Sequence, residues 1–257
     1  MKSICKAKIL DNVEIAPGIY KMILLAEEIV IEAKPGQFVN IYCNHPGRLL
    51  PRPISICEIN TEEKTLTIVY AVLGKGTETL SEMKVNEWIE VMGPLGNGFE
   101  ISDDIKNPIV IGGGVGTPPL LELVKQLKGN VEVYLGFRNK PILVEAFKAY
   151  GAKVYIATED GSLGTKGNVM DIIKERNPKG DMIYGCGPKP MLKSIVEWAK
   201  LKEVKAQVSM EERMACGIGA CLGCTCKTKK KEEADWQNRR ICKDGPVFWS
   251  NEVIWDD

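Results

Sequence analysis

Four cysteines near the C-terminus constrain this chain more than any other feature. Cys216, Cys221 and Cys224 follow one another at C-x4-C-x2-C spacing, and Cys242 lies further along the chain. In that arrangement, three closely spaced thiolates and a distant fourth hold a 2Fe–2S cluster. The chain is therefore expected to fold a loop around two iron ions, with these four cysteines as the metal ligands.

The residues between the thiols agree with this interpretation. Gly217, Gly219 and Gly223 lack a Cβ, so they permit unusual backbone angles and a close approach of amide donors to sulfur. A structural zinc site and unligated core cysteines are the alternatives. Zinc ribbons usually pair two C-x2-C knuckles, and this stretch offers only one.

Composition narrows the class of protein. The 257 residues suggest two or three domains. The 34 basic and 34 acidic residues cancel, so no overall field attracts nucleic acid or a membrane surface. No apolar run approaches the roughly 20 residues that a membrane span needs. Nine cysteines without a signal-peptide pattern indicate the cytoplasm, and the single histidine, His45, leaves little room for a catalytic triad.

The first hundred residues predict an antiparallel β-barrel. Short apolar runs alternate with Pro-Gly turns, which is typical of a small barrel, and one helical turn is expected near residues 78–83. The expected strands cover residues 7–9, 20–25, 38–43, 54–59, 65–72 and 88–91.

Two stretches of this barrel suggest a nucleotide clamp. Arg52-Pro53-Ile54-Ser55 combines a guanidinium, which suits a pyrophosphate, with a hydroxyl that can reach a flavin ring. Taken alone, these four residues favour an edge strand with a surface arginine. The second stretch, Val69-Tyr70-Ala71 with Gly74-Lys75-Gly76-Thr77, offers an aromatic ring and phosphate-binding amides near a helix start.

From residue 108 onward, strands and helices alternate, which predicts a parallel sheet with its ligand crevice at the carboxyl ends of the strands. The expected strands are 109–111, 131–135, 154–158, 182–184 and 206–210, and the expected helices are 120–127, 142–150, 169–176 and 190–201.

Two glycine turns are expected to face this crevice. The first carries Gly112, Gly113, Gly114, Gly116 and Thr117, and the second carries Gly185, Cys186 and Gly187. A backbone without side chains at a helix N-terminus offers amides and a positive dipole to a pyrophosphate, although a tight structural turn has the same composition. Arg138 follows another strand end, where it either accepts a 2′-phosphate or stacks on adenine.

Together, these motifs resemble the ferredoxin-NADP reductase superfamily over roughly residues 1 to 208. The tail, from Glu212-Arg213-Met214-Ala215-Cys216 to Cys242-Lys243-Asp244-Gly245-Pro246, is similar to the electron-transfer subunits of NAD-dependent B-type dihydroorotate dehydrogenases. The resemblance implies three domains: a FAD-binding β-barrel (1–100), a parallel-sheet NAD-binding domain (101–208) and a small C-terminal 2Fe–2S domain (209–257).

The resemblance also implies roles and partners. FAD would contact Arg52, Pro53, Ile54, Ser55, Val69, Tyr70, Ala71, Gly76 and Thr77. Ser55 would hydrogen-bond the flavin and Cys186 would line the nicotinamide pocket, as the two catalytic positions. A separate FMN-containing subunit would oxidise dihydroorotate in pyrimidine biosynthesis, with two copies of each subunit in a heterotetramer. The extra thiol, Cys226, departs from the pattern; we expect it to be a non-ligand, but it leaves the choice among Cys221, Cys224 and Cys226 open.

Two rival interpretations remain from the sequence. A subunit of an NADH-dependent ferredoxin or sulfide oxidoreductase shares the same modules and differs in its partner. A regulatory binding module would keep the fold without the chemistry, and it would stay colourless after reconstitution with FAD, iron and sulfide.

Overall fold

A computed structural model describes residues 3–43, 47, 50–229 and 235–255 of the chain. The sequence also predicts a surface turn at His45 and a solvated hairpin at the lysine-rich run, residues 227–233; His45 and residues 230–233 lie outside the described residues. Among the described residues, no helix combines the length and the apolar character that crossing a membrane requires.

The N-terminal part folds as the predicted antiparallel barrel. Six strands close in the order β1-β2-β5-β4-β3-β6. Side chains alternate along them: Ala7 and Ile9 of β1, and Met22 and Leu24 of β2, are fully buried in the barrel core, as expected for strands with one face inside. The strands are β1 (Ser3–Ala16), β2 (Ile19–Leu25), β3 (Phe38–Tyr42), β4 (Arg52–Asn60), β5 (Thr65–Ala71) and β6 (Trp88–Leu95).

Two helices accompany the barrel. The short α1 (Glu27–Val30) buries Ile29 and Val30 against it. The longer α2 (Lys75–Glu82) begins three residues earlier than the predicted helical turn, because Gly74 and Thr77 form its N-terminal cap, a signal that lies upstream of the apolar positions.

The predicted parallel sheet follows, with strands in the order β10-β9-β8-β7-β11-β12-β15. All neighbours are parallel except β12 and β15, which pair antiparallel. The strands are β7 (Pro108–Gly113), β8 (Glu132–Phe137), β9 (Lys153–Thr158), β10 (Thr165–Lys166), β11 (Met182–Cys186), β12 (Lys205–Ser209) and β15 (Val247–Trp249). The helices are α3 (Pro119–Gln126), α4 (Val144–Ala149), α5 (Val169–Arg176) and α6 (Lys189–Leu201).

The strand order places a crevice where the predicted glycine turns lie. From β7 the chain moves to β8 and β9 on one side, and then returns to β11 and β12 on the other. Connections that leave neighbouring strands in opposite directions open a crevice at the carboxyl ends of those strands. Here the neighbours are β7 and β11, and Gly112 pairs with Cys186 at that end.

The C-terminal segment returns to both preceding parts. A hairpin of β13 (Thr225–Lys229) and β14 (Trp236–Arg240) precedes the short helix α7 (Ile241–Asp244), which agrees with the hairpin expected around the lysine-rich run. After α7, β15 joins the edge of the large sheet, and Asn97 at the end of the barrel donates its amide to Gly245 O at 2.5 Å. The predicted boundary at residue 208 falls inside β12, and the three-domain division stays a prediction.

Candidate functional site

The loop that carries the first three thiols has a backbone that only particular residues adopt. Gly217 and Gly219 have φ angles of 67° and 85°, in the left-handed region that favours glycine. A Cβ at Gly217 would also overlap the Asn40 carboxamide, and one at Gly219 would lie 2.7 Å from Lys243 Cδ. The third left-handed residue of the loop is Leu222, with φ 61°. Gly223, which the sequence predicts to need such an angle, does not have one.

Cys216 and Cys221 form one pair of thiols. The amides of Ala220 and Cys221 donate to Cys216 Sγ at 3.3 and 3.4 Å. Burial opposes ionisation of Cys216, but the amides of Cys221, Ile218 and Ala220 and the Cys221 thiol outweigh it and lower the pKa to about 6. The loop therefore stabilises a thiolate, the form that binds metal.

Cys224 and Cys242 form the second pair. The amide of Cys242, on α7, donates to Cys224 Sγ at 3.4 Å. Burial and the neighbouring Cys224 raise the pKa of the Cys242 thiol to about 12. Asp244 closes the helical turn of α7, because it accepts from the Arg240 amide at 2.8 Å and pairs with the Arg240 guanidinium at 3.1 Å. The distant fourth cysteine thus lies beside the third.

Two thiol pairs suit a two-iron cluster, in which four thiolates are shared between two irons. Within the described ranges, no group of three or more His, Cys, Asp or Glu side chains is close enough to hold a single metal ion. The extra thiol, Cys226, lies on β13 opposite Arg239 and packs against the core of the sheet. Burial raises its pKa to about 11.

Arg52 and Gly76 meet at the mouth of the barrel. A Cβ on Gly76 would overlap the Arg52 guanidinium, so only glycine leaves room for the arginine there. The guanidinium also donates to the carbonyls of Leu50 and Pro51. Gly76 is the second residue of α2, and a helix N-terminus presents free amides and a positive dipole. A cation against free amides fits the pyrophosphate of a dinucleotide.

The remaining predicted flavin positions differ in exposure. Ser55 is half-buried and pairs with Phe38, while Ile54 belongs to the barrel core. Thr77 accepts from the amides of Leu73 and Gly74 at 2.9 and 3.2 Å, so its hydroxyl caps α2 in this structure.

Tyr70 lies inside the barrel, with 4% of its surface exposed. Its ring stacks on Tyr20 with centroids 5.9 Å apart, and its hydroxyl donates to Asn12 at 3.0 Å. Val69 is likewise buried, and Ala71 is half-buried. The packing of the Tyr70 ring on a flavin or ribose stays a prediction.

A cavity of about 800 Å³ joins the start of β4 to the segment that leads into the thiol loop. It lies between the predicted flavin strand and the predicted cluster loop, so the two sites open on a common space. Its lining residues are Leu50, Pro51, Arg52, Pro53, Glu211, Glu212, Arg213, Met214, Ala215 and Gly223.

The two glycine turns at the sheet edge interlock. A Cβ on Gly116 would lie 2.6 Å from Cys186 O and from Gly187, and one on Gly113 would lie 2.5 Å from Met191 Sδ. Backbone contact therefore requires glycine at position 116, whereas a side chain at position 113 would have to displace the Met191 side chain and press on Pro188. Gly114 differs, because it has φ 53° and open space around its Cα.

The other predicted residues of the crevice are placed around this contact. Thr117 is fully buried, and its hydroxyl finds no hydrogen-bond partner in the described part of the chain. A Cβ at Gly112 would lie 3.2 Å from that hydroxyl, and one at Gly185 would lie 3.3 Å from Ile195. Burial raises the pKa of Cys186 to about 12, so this thiol is neutral at pH 7 and suited to lining a pocket.

Sequence reasoning missed two buried polar residues that join the parts of the molecule. Asn40 of β3 is fully buried and donates to Cys216 O at 3.1 Å, which ties the barrel to the thiol loop. Glu122 of α3 is 2% exposed and accepts from the Ile59 amide at 2.8 Å. Each of the two residues leaves a signal in the sequence, because it is a polar residue with apolar neighbours, Asn40 within Phe38–Tyr42 and Glu122 within Pro119–Gln126.

Two protein families match the chain. Residues 6–99 match the oxidoreductase FAD-binding domain, and residues 211–254 match the iron-sulfur cluster binding domain of dihydroorotate dehydrogenase B. The dihydroorotate dehydrogenase B (NAD(+)) electron transfer subunit of Caldanaerobacter subterraneus subsp. tengcongensis is 45% identical, over 97% of this chain and 98% of the relative. The subunit of the same name from Streptococcus mutans is 44% identical, over 95% of each chain.

Solved structures agree on the fold. A chain of the NADH-dependent reduced ferredoxin-NADP oxidoreductase superposes with a TM-score of 0.87 at 32% identity, over 97% of this chain and 90% of that one. The ferredoxin reductase of carbazole 1,9a-dioxygenase, at 20% identity over 79% and 67%, superposes with a TM-score of 0.66 and shares the fold. The matches confirm the barrel, the sheet and the C-terminal region, with FAD, an iron–sulfur cluster and NAD as cofactors.

Proposed function

Because this chain belongs to the family of dihydroorotate dehydrogenase B (NAD(+)) electron transfer subunits, we propose that it passes electrons from an FMN-containing catalytic subunit, by way of a 2Fe–2S cluster and FAD, to NAD. The observation that carries the proposal is the cavity shared by the start of β4 and the segment before the thiol loop. It brings a predicted flavin strand next to a predicted cluster site.

The thiol pairs support a proposal for the cluster ligands. Cys216 and Cys221 would hold one iron, and Cys224 and Cys242 the other, because each pair is already in contact. Amides from the loop compensate sulfur charge, which stabilises a thiolate-bound metal. Cys226 would stay outside the set, as the cysteine spacing predicts; it lies on β13 opposite Arg239.

The barrel and the sheet hold the two nucleotides. Arg52 and the first amides of α2 would bind the FAD pyrophosphate, with Ser55 placed to donate to the flavin ring. Gly114, whose Cα faces open space, would let the NAD pyrophosphate approach the turn after β7. The bound cofactors supply the redox chemistry, since a flavin exchanges one or two electrons and a cluster exchanges one; the chain binds, orients and insulates them.

The partner would dock beside the thiol loop. Cys221 is exposed, and the adjacent Ile218 and Leu222 are 41% and 62% exposed. Exposed apolar side chains next to a redox centre suit a partner that must approach it closely. Trp249 and Trp255 are candidates from the sequence either for this interface or for covering the core of their own domain, and both are partly buried against the two cores of the sheet. We further propose a complex of two copies of each subunit, and a cytoplasmic location, which suits a chain whose nine cysteines form no disulfide in the described structure.

Anaerobic titration tests the proposal. The chain is loaded with FAD, iron and sulfide and combined with the catalytic subunit, and dihydroorotate is added stepwise. We expect the absorption of both flavin and cluster to bleach, and NAD to restore it. A Cys221→Ser variant that passed electrons at the wild-type rate would refute the relay.

A second candidate, a subunit of an NADH-dependent ferredoxin or sulfide oxidoreductase, is favoured by the similarity to the NADH-dependent reduced ferredoxin-NADP oxidoreductase chain. Co-purification separates the two, because only the first function requires a partner that oxidises dihydroorotate. The higher identity and fuller coverage of the dihydroorotate dehydrogenase B relatives support the first.

A further inference from the structure

A buried carboxylate ties the first helix of the sheet to a strand of the barrel. Glu122 lies on α3 and is 2% exposed. Its Oε2 accepts from the Ile59 amide of β4 at 2.8 Å, and its Oε1 accepts from Gln126 Nε2 at 2.7 Å. Both carboxylate oxygens are therefore engaged, one of them across the boundary between barrel and sheet.

The end of β4 needs such partners. Pairing between β3 and β4 runs from Ile41 opposite Arg52 to Phe38 opposite Ser55, so β4 continues past its neighbour. The backbone of Ile59 is then satisfied by α3, because Glu122 accepts from its N–H and Lys125 Nζ donates to its carbonyl at 2.6 Å. Buried backbone groups left without partners are costly, so these two side chains fix the helix to the strand.

A second contact reinforces the same junction. Tyr150, just after α4, donates its hydroxyl to the Glu58 carboxylate of β4. Cys57, on the same strand, is fully buried in a core cluster that also contains Leu120 and Val124 of α3. The junction is therefore packed as well as hydrogen-bonded, which restricts movement of α3 along β4.

We propose that Glu122 is a positioning residue for hydride transfer between nicotinamide and flavin. This rests on the proposed function, in which Arg52 and Ser55 of β4 hold FAD and the turn before α3 holds NAD. The helix and the strand that Glu122 joins each carry one of the two nucleotide sites. A displacement of about 1 Å between reacting groups can slow a reaction about 100-fold, so the hydrogen bond to Ile59 would set the rate without touching either cofactor.

The test compares two ways of reducing the flavin in the FAD-loaded holoprotein. NADH requires the nicotinamide to be aligned with the flavin, whereas dithionite does not. In stopped-flow experiments, we expect Glu122→Ala to slow reduction by NADH about 10- to 100-fold and to leave reduction by dithionite unchanged. Lys125→Met, which keeps the aliphatic stem and removes both the donor to the Ile59 carbonyl and the 3.4 Å ion pair with Glu122, should act in the same direction.

Two readouts do not depend on activity. The long-wavelength absorbance of a stacked complex between reduced flavin and NAD⁺ should weaken in Glu122→Ala. Hydrogen exchange of residues 57–60 in the protein without cofactors should become faster. Asp103→Asn is the matched control, because Asp103 pairs with Lys128 at 2.8 Å and both side chains are exposed, so the substitution removes a carboxylate–lysine pair at the surface.

The outcomes separate the inference from the proposed function. Equal loss of the NADH and dithionite rates would indicate a general structural role and overturn the inference, as would wild-type rates in both variants. If Glu122→Ala does not fold, Lys125→Met decides by the same comparison. If NADH failed to reduce the flavin of the wild-type protein, that result would contradict the proposed function itself.

Discussion

Replacing Gly76 by alanine should weaken FAD binding without weakening the fold. A Cβ at this position would overlap the Arg52 guanidinium, and no backbone atom is among the three nearest neighbours. Because the overlapping atoms belong to the end of a flexible side chain, the arginine can swing away. The substitution therefore removes the cation from the helix N-terminus while leaving the backbone in place.

The two effects have opposite signs. Alanine in place of glycine stabilises a helix by up to about 1 kcal/mol, so the unfolding temperature of the protein without FAD should hold or rise. A hydrogen bond to a charged group contributes about 1.5–3 kcal/mol, so losing the contact between Arg52 and the FAD phosphates should weaken binding about 10- to 150-fold.

Fluorescence titration of the flavin-free protein with FAD measures the affinity, and thermal unfolding measures the fold. Gly74→Ala is the matched control, because a Cβ there meets nothing within 4 Å and its φ of −175° is extended backbone. It should bind FAD as the wild type does. If Gly76→Ala retained wild-type affinity, or if it lowered the unfolding temperature, the assignment of this contact to the phosphate site would be refuted.

Three further predictions concern the C-terminal region. Gly217→Ala forces a side chain into φ 67° against a buried asparagine, so it should lower the iron and sulfide content. Gly223→Ala, whose Cβ would make only a 3.6 Å contact, should leave the content unchanged. Equal contents in the two variants would contradict the argument from the loop backbone. Cys242→Ser should lose the cluster and Cys226→Ser should keep it, as measured by bound iron; the reverse result would exchange their roles. Phe248 is 2% exposed, so Phe248→Ala should cost about 3–5 kcal/mol of stability. In urea, cluster absorbance and tryptophan fluorescence should be lost in one transition, whose midpoint is lower than in the wild type. Two separate transitions would show that the tail unfolds independently.

Local patterns were sufficient to predict most of the elements. Alternating apolar residues predict all six barrel strands. The helical spacing of apolar residues predicts helices such as Val169–Arg176 at their observed bounds. Cysteine spacing identified the thiol loop because the spacing itself reflects the ligand geometry. These patterns depend only on residues close together in the sequence, and the corresponding elements are present in the structure.

Features that depend on distant partners could not be predicted. Val247–Trp249 is three residues long, too short to show a period, and it becomes a strand only because the edge of β12 is open. The packing of the Tyr70 ring on a flavin or ribose stays a prediction, and its contacts with Tyr20 and Asn12, which lie far away in the sequence, could not be predicted. The glycines at 113 and 116 suggested phosphate binding, but the neighbouring turn after β11 already explains why a side chain is excluded.

The contacts between the parts argue that the tail is not a separable electron carrier. Its thiol loop is held by Asn40 from the barrel, and its last strand completes the sheet through Val208 and Phe248, which pair across the edge. A domain that moved freely would break both connections, each at the cost of buried hydrogen bonds. Since electron transfer and hydride transfer both depend on fixed separations, the same contacts that stabilise the fold also set the distances on which the proposed relay depends.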